Sequence, residues 1–155
     1  MPVTPIDKEA ICELLPHRDP FLFVDEVTGG DADASPAWLE ARWTVPPDMD
    51  VFRGHFPGRP ILPGVLIQEH TFQCGALLIY QSEGLTSLGG GLPVLSRVED
   101  ARFKHMVAPG TTLCTRVELT ERLANARYLK AKVTTQDGKL VARLACVLAI
   151  AEESQ

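Results

Sequence analysis

The chain has no surplus of positive charge, no closely paired cysteines and no unbroken apolar run of membrane-spanning length, and each absence removes a class of function. Its 15 Lys and Arg stand against 20 Asp and Glu, a formal net charge of -5. Sequence-independent nucleic-acid binding needs a basic footprint to neutralise phosphates and is not expected; an acidic protein partner would need only a local basic patch. Cys12, Cys74, Cys114 and Cys146 form no C-x-x-C pair, which argues against zinc or redox chemistry. Each lies in an apolar or alternating segment and reads as a small buried thiol in a reducing cytosol. The first 19 residues mix charges of both signs and lack the apolar core of a signal peptide, so a cytoplasmic location is expected. The long apolar stretch from Ile61 to Tyr80 is broken by Pro63, Gln68, Glu69, His70 and Gln73. It reads as a buried helix and not as a membrane span.

What is present is ordinary for a globular protein: 45% hydrophobic and 23% charged residues, with no internal repeat. One domain over residues 1–155 is expected, and a chain of this size buries roughly two-thirds of the surface its unfolded form exposes. Apolar residues at helical spacing from Ile6 to Leu15 predict a short amphipathic helix stopped by Pro16. Phe21-Leu22-Phe23-Val24 reads as the start of a strand, and Trp38 to Val45 alternates as a half-buried strand should. Between them Gly29-Gly30 and the residues up to Pro36 read as a turn or loop.

Pro46 to Pro63 holds five prolines and predicts a shaped loop. Gly64 to about Gln81 is apolar on nearly every face and predicts a helix inside the protein. Gly89-Gly90-Gly91 is followed by Pro93 and a strand-like run, so it reads as a flexible connection, not a phosphate cradle. Four strand-like runs follow, at about 93–103, 111–122, 126–135 and 139–151, separated by Pro109-Gly110, a polar turn at 123–125 and the hairpin signal Asp137-Gly138. Consecutive strands on tight turns imply an antiparallel sheet, and an all-apolar helix needs enclosure. The predicted fold class is therefore α+β, a curved antiparallel sheet wrapped round one long central helix.

The run from Gly54 to Glu69 pairs an imidazole, His55, with a carboxyl on the buried helix, Glu69. Desolvating a carboxylate is costly unless it is paired or protonated, so Glu69 needs compensation. Taken singly, His55 reads as a loop-stabilising side chain, and Glu69 as a structural partner of Arg18, Arg59 or Gln73. Together they place a proton acceptor and a proton donor near the helix start at Gly64, whose N–H lacks a partner within the helix and can donate to an oxygen gaining charge.

With Gly54-His55-Phe56-Pro57-Gly58-Arg59-Pro60-Ile61-Leu62-Pro63-Gly64-Val65 and Glu69 in view, the chain resembles the (3R)-hydroxyacyl-acyl-carrier-protein dehydratases of the FabZ type. Their signature loop reads G-H-F-P-G-x-P-x-x-P-G-V. Leu14-Leu15-Pro16-His17-Arg18, Pro20-Phe21-Leu22, Val24-Asp25, Ala101-Arg102-Phe103 and Pro109-Gly110 extend the likeness nearly end to end. The resemblance implies a hot-dog fold, a homodimer or trimer of dimers, and dehydration of a 3-hydroxyacyl group carried on the phosphopantetheine arm of acyl carrier protein, in fatty acid or related lipid biosynthesis. No cofactor or metal is implied. His55 and Glu69 match the family's catalytic pair, the two coming from different subunits, and Gly64 matches the backbone donor to the thioester carbonyl. Phe56, Val65 and Gln73 are expected to line the substrate, and Arg102 and Lys104 are candidates for carrier docking.

Departures occur at His70-Thr71-Phe72, where small or flexible residues are common, and at Met106, where proline is common. Bulk at either place would alter an acyl tunnel if the side chains faced it. A glutamate at position 69, where the related dehydratase-isomerases carry aspartate, argues against added double-bond isomerisation. Two other readings stand beside dehydration: a thioesterase on the same fold, and a non-catalytic acyl-binding subunit of a dehydratase complex.

Overall fold

The computed structural model describes residues 2–85 and 87–152. A short helix, α1 (Lys8–Leu14), precedes two strands, β1 (Glu26–Asp31) and β2 (Ala37–Thr44), and a 3-10 turn at Asp50–Arg53. The long helix α2 (Gly64–Glu83) comes next, and four strands complete the chain: β3 (Leu92–Phe103), β4 (Thr112–Leu123), β5 (Ala126–Thr135) and β6 (Leu140–Ala151). Asp7 caps α1 by accepting from the Ala10 N–H at 3.0 Å, and the helix stops at Leu15, which Pro16 holds in an extended conformation.

The six strands form one antiparallel sheet in the order β1-β2-β4-β5-β6-β3. Alternation decides its faces: Leu39, Ala41 and Trp43 of β2 and Leu113, Thr115 and Val117 of β4 point inward, while their neighbours point out. The concave face closes on α2, in which Ile67 and every residue from His70 to Tyr80 are buried. This is the sheet wrapped round a central helix that the sequence predicted. β3 lies at the sheet's edge with Leu92, Val94, Leu95, Val98 and Phe103 exposed. Among the described residues no helix is long and apolar enough to cross a membrane.

Two expectations are corrected. Phe21–Val24 does not begin a strand; β1 starts at Glu26. The backbone groups of that segment are taken by side chains of α2: the Phe23 N–H donates to Gln73 Oε1 at 2.8 Å, and the Phe21 carbonyl accepts from Gln73 Nε2 at 3.0 Å. Gly29 and Gly30 are not in the turn but in β1, beside a bulge between Val27 and Gly29. Only glycine fits at 30, because a Cβ there would stand 2.4 Å from the Trp38 carbonyl oxygen of the neighbouring strand.

The four cysteines are free. Cys74 and Cys146 are buried as expected, and burial pushes both thiols up, that of Cys146 to about 12; Cys12 and Cys114 are partly exposed.

His70 occupies the middle of the core. Its Nδ1–H donates to the Phe23 carbonyl at 2.6 Å, the Thr115 hydroxyl donates to Nε2 at 2.7 Å, and its ring stacks on Trp43 at 5.6 Å. The Phe23 carbonyl can only accept, which fixes a proton on Nδ1, and burial pushes the group down to about 4, so the ring is neutral with Thr115 donating to Nε2. Below about pH 6.5 the unfolded chain takes up a proton that the folded chain refuses. Stability should therefore fall by roughly 3 kcal/mol as pH drops from about 6.5 to about 4. Urea titrations across that range should show this component in the natural protein and lose it in His70→Gln; an identical pH slope in both would refute the assignment.

Candidate active site

The proline-rich loop is a chain of short closures that ends in a fixed imidazole. The 3-10 turn delivers His55, whose N–H donates to the Val51 carbonyl at 3.0 Å. Phe56 and Arg59 then exchange backbone bonds of 3.0 and 2.8 Å, and the His55 carbonyl accepts from the Ile61 N–H at 3.0 Å. The ring is held as well, because Nδ1 lies 2.8 Å from the Ile61 carbonyl oxygen. A carbonyl can only accept, so Nδ1 carries a proton, and in the neutral ring Nε2 presents its lone pair. Phe56 stacks on the ring at 4.1 Å between centroids and is itself half exposed.

His55 lines a cavity of about 490 Å³ together with Ile61, Gly64, Ile67, Phe103 and Met106, a mostly apolar wall to which Lys104 also contributes. Gly64 opens α2 at this wall. The Leu66 and Ile67 amides turn back to the Pro63 carbonyl at 3.0 and 3.3 Å, whereas the Gly64 and Val65 amides find no backbone acceptor among the described residues. A Cβ at Gly64 would lie 3.3 Å from the Phe103 ring, so a larger residue would crowd the place where a ligand oxygen could approach these amides.

Glu69 does not line this cavity. At 3.6 residues per turn it stands roughly 140° round α2 from Gly64, so a single chain turns the imidazole and the carboxyl to different sides of one helix. Its Oε1 accepts from Gln73 Nε2 at 3.1 Å and lies 3.5 Å from His17 Nε2, while the side chain keeps 23% of its exposure. Of the three partners the sequence offered, only Gln73 is used. Arg18 donates instead to the Cys12, Leu15 and His17 carbonyls. His17 escaped the sequence reading: it lies 52 positions from Glu69 with no periodicity to connect them. Its Nδ1 is a buried nitrogen without a hydrogen-bond partner among the described residues, which marks the pair as polar atoms facing an incomplete environment.

The remaining candidates divide. Val65 is 68% exposed, and Gln73 is buried as a holder of Glu69 and of the Phe21–Phe23 backbone, not as a cavity wall. Lys104 reaches the cavity, but Arg102 does not and pairs with Asp100 at 3.1 Å. His70, Thr71 and Phe72 point into the core, with the Thr71 hydroxyl donating to the Ile67 carbonyl, so none of them narrows the cavity of His55; Met106 does line it. Among the described residues no group of three or more His, Cys, Asp or Glu side chains is placed to hold a metal.

Gln73→Leu keeps the volume and removes bonds to two backbone groups at once. It should cost about 2–6 kcal/mol, since each stranded buried group costs roughly 1–3. Denaturant unfolding would measure the loss, and a change below 1 kcal/mol would show that water or a shifted backbone replaces the amide.

The FabA-like domain family matches residues 15–145 of this chain. The 3-hydroxyacyl-acyl-carrier-protein dehydratase FabZ of Xanthomonas euvesicatoria is 39% identical over 146 residues, covering 89% of this chain and 88% of its own. That of Tolumonas auensis is 40% identical over 144 residues, covering 91% and 93%. Among solved structures, a thioesterase superfamily member from Thermus thermophilus is 20% identical with a TM-score of 0.63, over 77% of this chain and 85% of its own. The dehydratase heterocomplex ApeI:P from Xenorhabdus doucetiae is 20% identical with a TM-score of 0.55, over 79% and 96%. These two likenesses establish the hot-dog fold alone.

Proposed function

From the premise that this chain belongs to the FabA-like family, we propose that it dehydrates (3R)-3-hydroxyacyl groups carried on acyl carrier protein to the trans-2-enoyl form. The observation that carries the reading is the 2.8 Å bond from His55 Nδ1 to the Ile61 carbonyl at the wall of the cavity. In its neutral form this imidazole presents the Nε2 lone pair on an apolar wall that also holds the start of α2. In this scheme Nε2 takes the proton from C2 of the substrate. Glu69 supplies a proton to the departing C3 hydroxyl, which leaves as water, and the Gly64 N–H donates to the thioester oxygen as charge builds on it. Positioned acid-base catalysis contributes typically ~10²–10⁴-fold and one oxyanion donor about 10²–10³, so the three groups act in concert.

The separation of His55 and Glu69 around α2 supports a site shared between two copies, each giving one of the pair. The exposed apolar β3 edge offers the seam for such a dimer, since its free backbone groups can pair with the same strand of a second chain. Phe56 and Val65, exposed in one chain beside His55 and Gly64, would then face the acyl group or the partner. Four free thiols suit a reducing cytoplasm. The thioesterase reading shares the fold, but the sequence relatives quoted above are dehydratases; release of free thiol in place of an enoyl product would decide for it.

His55→Ala and Glu69→Gln should each lower turnover of a 3-hydroxyacyl carrier by about 10²–10⁴-fold with circular dichroism unchanged. Mixing the two inactive proteins should restore part of the activity through hybrid dimers; no recovery despite proven subunit exchange would rule out a shared site. Leu95→Asp combined with Val98→Asp should shift sedimentation toward monomer and lower activity in parallel. An active monomer would contradict the dimeric site.

A further inference from the structure

The outer face of the sheet carries a row of four cations, two of which, Lys132 and Arg143, meet no acidic partner among the described residues. In the strand register Glu40 stands opposite Arg116, Arg116 opposite Lys132, Lys132 opposite Arg143, and Arg143 opposite Arg102. Residues directly opposite share a face, and their inward neighbours Thr115, Val133 and Ala142 are buried, so these side chains project from the convex side. Four like charges on four adjacent strands span about 14 Å, and such neighbours cost stability. Elsewhere on this face the sheet alternates signs, as where Glu118 stands opposite Lys130.

The ends of the row are neutralised. Arg116 pairs with Glu40 and Glu118 at 3.4 and 3.3 Å and lies 3.9 Å over the Trp38 ring, and Arg102 pairs with Asp100. Lys132 and Arg143, in the middle, have no acidic partner within 4 Å among the described residues. They line a shallow hollow of about 210 Å³ together with Arg116, Lys130 and one carboxylate, Glu118, whose charge Arg116 meets. The chain as a whole has a net charge of -5, so this concentration of cations is local.

The geometry points to the Lys132–Arg143 hollow as the docking surface for the anionic carrier of the substrate, an inference that rests on the dehydratase reading above. A protein that presents its thioester on a phosphopantetheine arm offers a phosphodiester at the root of the arm, and acidic side chains round it would complete the match to the row. The row also ends in the right place: Arg102 is followed by Phe103 and Lys104, which line the cavity of His55. An arm rooted over Arg143 would reach that cavity round the end of β3. Docking is thereby assigned chiefly to Lys132 and Arg143 and not to Arg102, whose charge Asp100 already meets.

The test compares one 3-hydroxyacyl group on carrier protein with the same group on uncharged pantetheine. Lys132→Glu with Arg143→Glu should lower kcat/KM for the carrier substrate by about tenfold or more and abolish its salt dependence. Turnover of the pantetheine thioester should stay unchanged. The milder Lys132→Gln with Arg143→Gln covers the case in which charge reversal disturbs folding, and Lys132→Arg should retain carrier activity. Equal carrier turnover by a folded double variant would overturn the docking surface. Titration of carrier into each protein reads binding without catalysis: loss of binding in the variant supports the surface even if the natural protein turns over neither thioester, an outcome that would sink the dehydratase reading alone.

Discussion

Burial of α2 on all sides from His70 to Tyr80 is the constraint from which the rest of the molecule follows. A helix enclosed from His70 to Tyr80 has no solvent to satisfy its polar side chains, so each must find a partner in what surrounds it. Gln73 does so three times over: it accepts from Phe23 and donates to Phe21 and to Glu69. His70 joins the same segment to Thr115 on β4. These bonds pull Phe21–Val24 off the sheet and onto the helix, and they leave Glu69 held by an amide near the surface. The carboxyl is thus oriented by the same interactions that hold the enclosure shut.

Much of this was legible in the sequence because its causes are local. Apolar residues on every face from Gly64 onward announced an enclosed helix, alternation announced the strands, and Asp137-Gly138 announced a hairpin. The loop signature located His55 and Gly64 together. What could not be read depended on contacts distant in sequence. Phe21–Val24 has strand composition, yet its hydrogen bonds go to side chains about 50 positions away. Gly29-Gly30 has turn composition, yet the glycine serves a strand that passes too close to Trp38 for a Cβ. His17 is invisible for the same reason, since nothing in a window round Pro16 says that Glu69 lies beyond it.

The bulk at His70-Thr71-Phe72 is a useful case, because composition alone could place it either in a ligand tunnel or in the core. The structure decides by partners: His70 meets a carbonyl and a hydroxyl, Thr71 a carbonyl, and Phe72 belongs to the buried apolar cluster that includes Ile11 and Leu39. A large polar side chain here is tolerated because Thr115 and the displaced Phe23 carbonyl complement both ring nitrogens. That bulk is thus absorbed by packing, while Met106 lines the wall around His55.

The enclosed thiols carry a consequence of their own. Cys74 and Cys146 sit where burial keeps sulfur protonated, and only the thiolate reacts readily with alkylating agents or peroxide. In the closed molecule both are chemically silent, and Cys12 and Cys114 take the first exposure to any such reagent. A label that does arrive on Cys74 has entered only because the sheet opened away from the helix. The protein thereby contains its own clock for breathing of the core, read by the rate at which two silent sulfurs acquire mass.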